Sequence, residues 1–237
     1  MTQALDISFG AQFVTPQWCK DRIADGWELL IVNLWAGATD MPYAERALRY
    51  WREAGGRTQA YFAINGSRQP LGHFNKAFLA AGEEWPYLER VWVDCEIDGV
   101  LVDQVRGALE LVKATQKPTG IYTAYWFWTE HMGNTDDFAD YPLWNAFYDG
   151  DPDIDFSRYL YGGWSMDKLY LEQYQGTTDI SGVECDLNII LHEEDEMDLN
   201  TIIHRLNVMW GHSDRLEQAG REIKESIIEI KRALGIN

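Results

Sequence analysis

Cysteine, basic charge and long apolar runs are all scarce in this chain. There are three cysteines in 237 residues, Cys19, Cys95 and Cys185. Their number is odd and their spacing contains no C-x-x-C or Cys/His ligand pattern, which excludes a disulfide framework and a structural zinc site. Lys and Arg number 20 against 38 Asp and Glu, a net charge of −18. A chain so poor in cations has little with which to neutralise phosphates, so nucleic acid is not an expected partner. No run approaches eighteen apolar residues, so no membrane span and no membrane partner is expected. A basic region followed by an apolar stretch is missing at the N-terminus, where Gln3–Phe9 already reads as a strand. The expectation is synthesis in a cytoplasm, host or otherwise, without a cleaved export signal.

What the chain does have is apolar and aromatic mass. Hydrophobic residues make up 46%, and 11 Trp, 12 Tyr and 9 Phe make up 14%. That excludes a wholly disordered chain and is enough for a sizeable core. Rings in such numbers either fill the core or present faces to a ligand such as a sugar.

Eight short runs rich in β-branched and aromatic residues read as strands, at 3–9, 28–35, 58–64, 90–97, 119–123, 142–147, 168–174 and 183–190. Helices fall between the early ones. Thr15-Pro16 reads as an N-cap followed by proline at the first helical position, 41–54 closes before Gly55-Gly56, and 99–116 carries Val102, Val105, Leu109 and Val112 on one stripe. Alternation of this kind predicts an α/β fold with a parallel sheet, and eight strands predict a barrel. After residue 123, loops rich in Trp, Tyr, Asp and Gly are expected to replace regular helices. The expected fold is an irregular TIM-like (β/α) barrel with fewer than eight helices, over residues 1–190.

An acidic linker, 191–198, contains His192-Glu193-Glu194-Asp195-Glu196. Beyond it, over 199–237, apolar or small residues recur at steps of three and four from Leu199 to Leu234. This heptad seam reads as a coiled coil that joins copies of the chain into a homo-oligomer through 199–234, or as a helical hairpin packed on the barrel. Residues 1–190 hold 14 basic and 28 acidic side chains, and 191–237 hold 6 and 10, so the barrel carries most of the charge itself.

In a barrel of parallel strands the C-terminal strand ends form the active site. The first strand has Asp6, the fourth Asp94 and Glu96, the last Asp186. Residues two apart on a strand share a face, so Asp94 and Glu96 are expected to point into the mouth above Trp92, with Cys95 and Cys185 turned to the helix layer. Crowded carboxylates split their pKa values, giving a protonated acid beside an ionised partner, which glycoside cleavage requires. A pair two residues apart spans roughly 5–7 Å, nearer retaining than inverting geometry. The same oxygens could serve a Mg²⁺ or Ca²⁺ site, or form no more than a surface cluster.

The order of motifs resembles the glycoside hydrolase family 25 lysozymes, the N-acetylmuramidases of phages, bacteria and some fungi. The resemblance is carried by Leu5-Asp6-Ile7-Ser8, Ala60-Tyr61-Phe62, Val93-Asp94-Cys95-Glu96, Gly120-Ile121-Tyr122-Thr123, Leu143-Trp144-Asn145-Ala146-Phe147, Glu172-Gln173-Tyr174 and Cys185-Asp186-Leu187-Asn188. It implies cleavage of the β-1,4 bond between N-acetylmuramic acid and N-acetylglucosamine in peptidoglycan, without a cofactor or metal. By carry-over, Glu96 is the acid/base and Asp94 the nucleophile or the carboxylate that orients the substrate's N-acetyl group. Asp6 and Asp186 hold the acid and the sugar, while Tyr61, Tyr122, Trp144, Gln173 and Tyr174 bind substrate. Such an enzyme would reach the wall on release at lysis, as a phage endolysin does, or as a virion component.

The sequence departs from the family pattern in three places. Ala63 and Ile64 stand where a histidine is usual after Tyr61-Phe62, the second strand lacks its arginine, and Gln12 is displaced in the loop after the first strand. A chitinase-like D-x-x-D-x-D-x-E pattern fits poorly, because Arg90 and Trp92 precede Asp94. The competing reading is a non-catalytic glycan-binding module, virion-associated and held together by its C-terminal helix.

Overall fold

Val, Ile, Leu and aromatic runs form all eight strands: β1 (Thr2–Ile7), β2 (Trp27–Ala36), β3 (Arg57–Ala63), β4 (Val91–Asp94), β5 (Thr119–Ala124), β6 (Leu143–Ala146), β7 (Leu169–Ile180) and β8 (Val183–Ile190). In the computed structural model, which describes residues 2–152 and 160–191, they close in sequence order into a barrel. The chain divides into two units, Met1–Glu193 and Glu194–Asn237. The expected linker (apart from Leu191) and the heptad seam lie outside the described residues.

Five helices follow strands: α1 (Pro16–Ala24), α2 (Ala44–Glu53), α3 (Pro70–Ala81), α4 (Val102–Ala114) and α5 (Tyr125–His131). At α1 the Thr15 hydroxyl accepts from the Trp18 N–H at 3.1 Å, ahead of Pro16 in the first turn, as the sequence suggests. The α4 stripe buries Val105, Ala108, Leu109 and Val112. Two helices go beyond the sequence reading. α3 opens on Pro70 and buries His73, Phe74, Ala77 and Ala81 at helical spacing, and α5 occupies a region expected to be loop.

Two cores result. Inside the barrel lie Leu29, Ile31, Tyr61, Trp92, Tyr122 and Trp144, with Tyr170 among them. Between barrel and helices lies a second layer that includes Cys19, Cys95 and Cys185, all buried free thiols. β2 is buried from Leu29 to Trp35 because both its faces are covered, hence its unbroken apolar run.

The sheet is not wholly parallel, and here the sequence expectation needs correcting. β1 to β7 pair in parallel, but β8 runs antiparallel to both β7 and β1. The cause is local: Ile180 pairs with Val183 across Ser181-Gly182, both at positive φ (54° and 83°), the geometry of a type I′ hairpin turn. Parallel neighbours need a long crossover, and two residues cannot provide one. β7 therefore continues six residues past the expected end at 174, zipped to β8. Among the described residues no helix is long and apolar enough to cross a membrane.

Candidate active site

Asp6 stands near the end of β1 and is 2% exposed. The antiparallel register sets Asp186 of β8 directly opposite it. Had β8 run parallel, its opening residues would lie at the far end of the barrel; reversal is what delivers Asp186 to the mouth. On β7, Gln173 pairs with Asn188 of β8. The Gln173 amide N–H groups donate to Asp6 Oδ2 at 2.8 Å and Asp186 Oδ2 at 3.1 Å, and Asn188 Nδ2 donates to Asp6 Oδ2 at 2.7 Å. The N–H of Thr177 donates to the other oxygen of Asp186.

Across the mouth, β4 ends at Asp94, so strand alternation does not reach Glu96, contrary to the expected strand 90–97. A turn does the same work: Asp94 Oδ1 accepts the Glu96 N–H at 2.9 Å, folding the chain back so that both side chains remain part-buried. Trp92 lies beneath, its indole N–H donated to Gln59 at 2.7 Å. Glu96 Oε1 is buried without a hydrogen-bond partner.

These surroundings dictate protonation. Burial pushes the Asp94 carboxyl up to about 6, against the pull of the Glu96 N–H. Glu96 is pushed up to about 8, by burial and then by the charge of Asp94. Near neutral pH Asp94 is ionised and Glu96 keeps its proton, an unequal pair of the kind that acid-assisted glycoside cleavage uses. Burial and the facing Asp186 raise Asp6 to about 8, partly offset by the Asn188 and Gln173 amides. Asp186 is raised by burial, with the Thr177 N–H opposing.

The aromatic residues form a floor. Tyr122 and Trp144 rings lie 4.5 Å apart, and Tyr61 meets Trp144 edge-on at 5.6 Å. Trp144 is 1% exposed and spends its N–H on Asn188, so it supports the mouth from below. The Tyr122 hydroxyl donates to Gln173 Oε1 at 2.7 Å. Tyr174, next to Gln173 on the strand, faces the other way and is not brought to the acids.

Tyr148 and Asn188 escaped the list of candidate residues. Tyr148 is 60% exposed yet donates its hydroxyl to Gln173 Oε1 at 2.7 Å. Nothing in its loop sequence marks it, whereas Asn188 could have been found as the same-face neighbour of Asp186, two residues on. Beside the mouth, Ser8, Phe9, Gln12, Asp40, Met41 and Tyr43 line a cavity of 180 Å³. Among the described residues no group of three or more His, Cys, Asp or Glu side chains is arranged to hold a metal ion.

Known structures share this fold. The muramidase of Acremonium alcalophilum superposes with a TM-score of 0.66 at 18% identity, over 82% of this chain and 95% of that one. A family GH25 lysozyme from Aspergillus fumigatus gives 0.66 at 18% identity, over 81% and 95%. The CTP1L endolysin gives 0.65 at 20% identity, over 87% and 70%. The fold is that of glycoside hydrolase family 25. In sequence, the chain is 36% identical over 84 residues to "Probable GH family 25 lysozyme 3" of Dictyostelium discoideum, and 33% identical over 106 residues to "Counting factor 50" of the same organism. These stretches are 35% and 41% of this chain but only 17% and 34% of those relatives. No family model matches the chain. The resemblance to family 25 lysozymes drawn from the motifs is thus met again in the sequence relatives and in the fold.

Proposed function

We propose that this barrel is a peptidoglycan muramidase, hydrolysing the β-1,4 bond between N-acetylmuramic acid and N-acetylglucosamine. One observation carries the reading: the Glu96 carboxyl, buried with an unpartnered oxygen, holds its proton above neutrality while Asp94 beside it is ionised. Glu96 protonates the leaving oxygen and then, as a base, activates water. Asp94 meets the positive charge developing at the sugar, as nucleophile or by orienting the N-acetyl group. Asp6 and Asp186 stay fixed by amide donors as part of the wall. The family 25 fold and the lysozymes among the sequence relatives support this chemistry.

Incubation with purified peptidoglycan, followed by mass analysis of the soluble muropeptides, tests the reading. The expected products carry N-acetylmuramic acid at a new reducing end. Glycan binding without release of reducing ends would replace the enzyme by a binding module. In the same reading the heptad seam joins copies of the chain, and light scattering of the full chain would contradict this by returning a monomer. Delivery to the wall follows lysis or travels with a virion; absence of the protein from purified particles would remove the second route.

A further inference from the structure

Gln173 is 2% exposed and makes four hydrogen bonds. A side-chain amide has two acceptor lone pairs and two N–H donors, and no more. Both lone pairs of its oxygen are filled by the hydroxyls of Tyr122 and Tyr148, and both hydrogens by Asp6 and Asp186. This orientation gives every donor and acceptor position of the amide a partner. Asn188 is engaged in the same way, donating to Asp6 and to the Asp186 carbonyl while accepting from Trp144.

Nothing on Gln173 is left for a ligand. Its effect on its neighbours is directional: because each tyrosine has one hydroxyl hydrogen and gives it to Gln173, both oxygens can only accept from anything entering the mouth. We infer that Gln173 is a positioning residue that takes up the hydroxyl protons of this wall, so that Tyr122 and Tyr148 meet the ligand as acceptors and select for its donors, hydroxyl or acetamido N–H, while its N–H groups hold Asp6 and Asp186 in place. The inference rests on the muramidase reading for its kinetic consequence but not for its effect on the carboxyls. Asp6 is faced by Asp186 from β8, Asp94 from β4 and Tyr61 from β3, with Tyr148 and Cys185 also within electrostatic reach. Of the groups around Asp6, Gln173 and Asn188 are those that donate to it and hold its pKa down.

The test compares wild type, Gln173→Met and the isosteric Gln173→Glu, all checked for fold by near-ultraviolet circular dichroism. Turnover of peptidoglycan gives kcat and KM, and ¹³C carboxyl NMR gives the Asp6 titration without any need for turnover. Gln173→Met should lower kcat by about 100-fold, the scale of a misplaced reacting group, with KM within about twofold of wild type. Its Asp6 titration should move upward, because two N–H donors to the carboxyl pair are gone. Gln173→Glu can donate only while protonated, so its activity should survive on the acid side alone. A KM rise that accounts for most of the loss in either variant would make Gln173 a direct substrate ligand and overturn the inference. So would an Asp6 titration unmoved in Gln173→Met, or a pH profile unmoved in Gln173→Glu should the Met variant fail to fold. Wild type without turnover would instead remove the muramidase reading, leaving the Asp6 titration to judge Gln173.

Discussion

The two arcs of the barrel are built differently and contribute differently. β1 to β5 run parallel to one another and each leads into a helix, whereas β7 and β8 form an antiparallel hairpin joined by two residues. The pair proposed to react, Asp94 and Glu96, comes from the first arc, at the free end of β4. The groups that hold other groups come from the second: Gln173 on β7, Asp186 and Asn188 on β8, Tyr148 just past β6. A parallel strand offers the mouth only its last residues and the loop that follows. An antiparallel strand starting at the mouth offers same-face residues in fixed register, so Asp186 and Asn188 line up against Asp6 and Gln173. Reacting groups need a free approach and an uneven pKa, while supporting groups need several hydrogen bonds each. Each arc supplies the kind its geometry favours.

The sharpest way to break this division is to remove one group from each arc. Glu96→Gln keeps shape and deletes the acid, and should cost about 10²–10⁴-fold in kcat with the fold unchanged. Asp186→Asn alters a supporting carboxylate and should cost roughly tenfold less than that, since the reacting pair stays in place. Reducing-end assays on peptidoglycan with both variants decide it. An Asp186→Asn loss as large as that of Glu96→Gln would move a reacting role into the hairpin.

A second prediction concerns pH. The proposed mechanism needs Asp94 ionised and Glu96 protonated, so kcat/KM should rise through about pH 6 and fall through about pH 8. Both limbs belong to the first arc. In Asp94→Asn the limb near pH 6 should vanish along with most of the activity. Persistence of that limb in the variant would assign it to the second arc's carboxyls.

Much of this arrangement is legible in the sequence because it follows from chain-local rules. Strand runs such as Glu28–Trp35, the Thr15-Pro16 cap and the same-face logic that set Cys95 outward each depend on a few neighbouring residues. What escaped depends on contacts far apart in the chain. Tyr148 matters only because its hydroxyl reaches Gln173, 25 residues on, and Gln173 reads as a ligand until its four partners are counted. The direction of β8 is the instructive case. Ser181-Gly182 is a hairpin signal in plain view, but the alternation of strands and helices before it favours a parallel sheet, and a two-residue loop overrides that trend. α3 was hidden by Gly72 and by the absence of a side-chain cap, although its apolar spacing is helical.

Smaller effects should appear in stability. Asp94 folds with its pKa raised from the ordinary 3.8 to about 6, so the folded state favours the neutral carboxyl. That preference stabilises the fold at acid pH and is lost as pH rises through about 6. Asparagine is neutral at every pH and can still accept the Glu96 N–H. Asp94→Asn should therefore leave stability unchanged below about pH 4 and raise it above pH 6 by about 1 kcal/mol, or roughly 2–4 °C in Tm. Thermal melts at pH 4 and pH 8 would contradict this by giving equal shifts.

The smallest expected effect lies in the hairpin itself. Thr177 is a β-branched residue at φ 45°, at an irregularity where β7 and β8 slip register between Gln175 and Thr178. The left-handed conformation costs such a residue roughly 1–2 kcal/mol. It also turns the Thr177 N–H onto Asp186, a contact the regular ladder would not make. The side chain is exposed, so what the site uses is the backbone. Thr177→Gly keeps the N–H and removes the conformational cost, at an entropic cost of roughly 0.5–1 kcal/mol. The balance is a gain of about 0.5–1 kcal/mol, a rise of about 2 °C in Tm, with kcat within about twofold of wild type. Calorimetry beside the reducing-end assay reads both quantities. A fall in kcat with Tm unchanged would mean that the threonine side chain, rather than the bent backbone, is what the second arc contributes here.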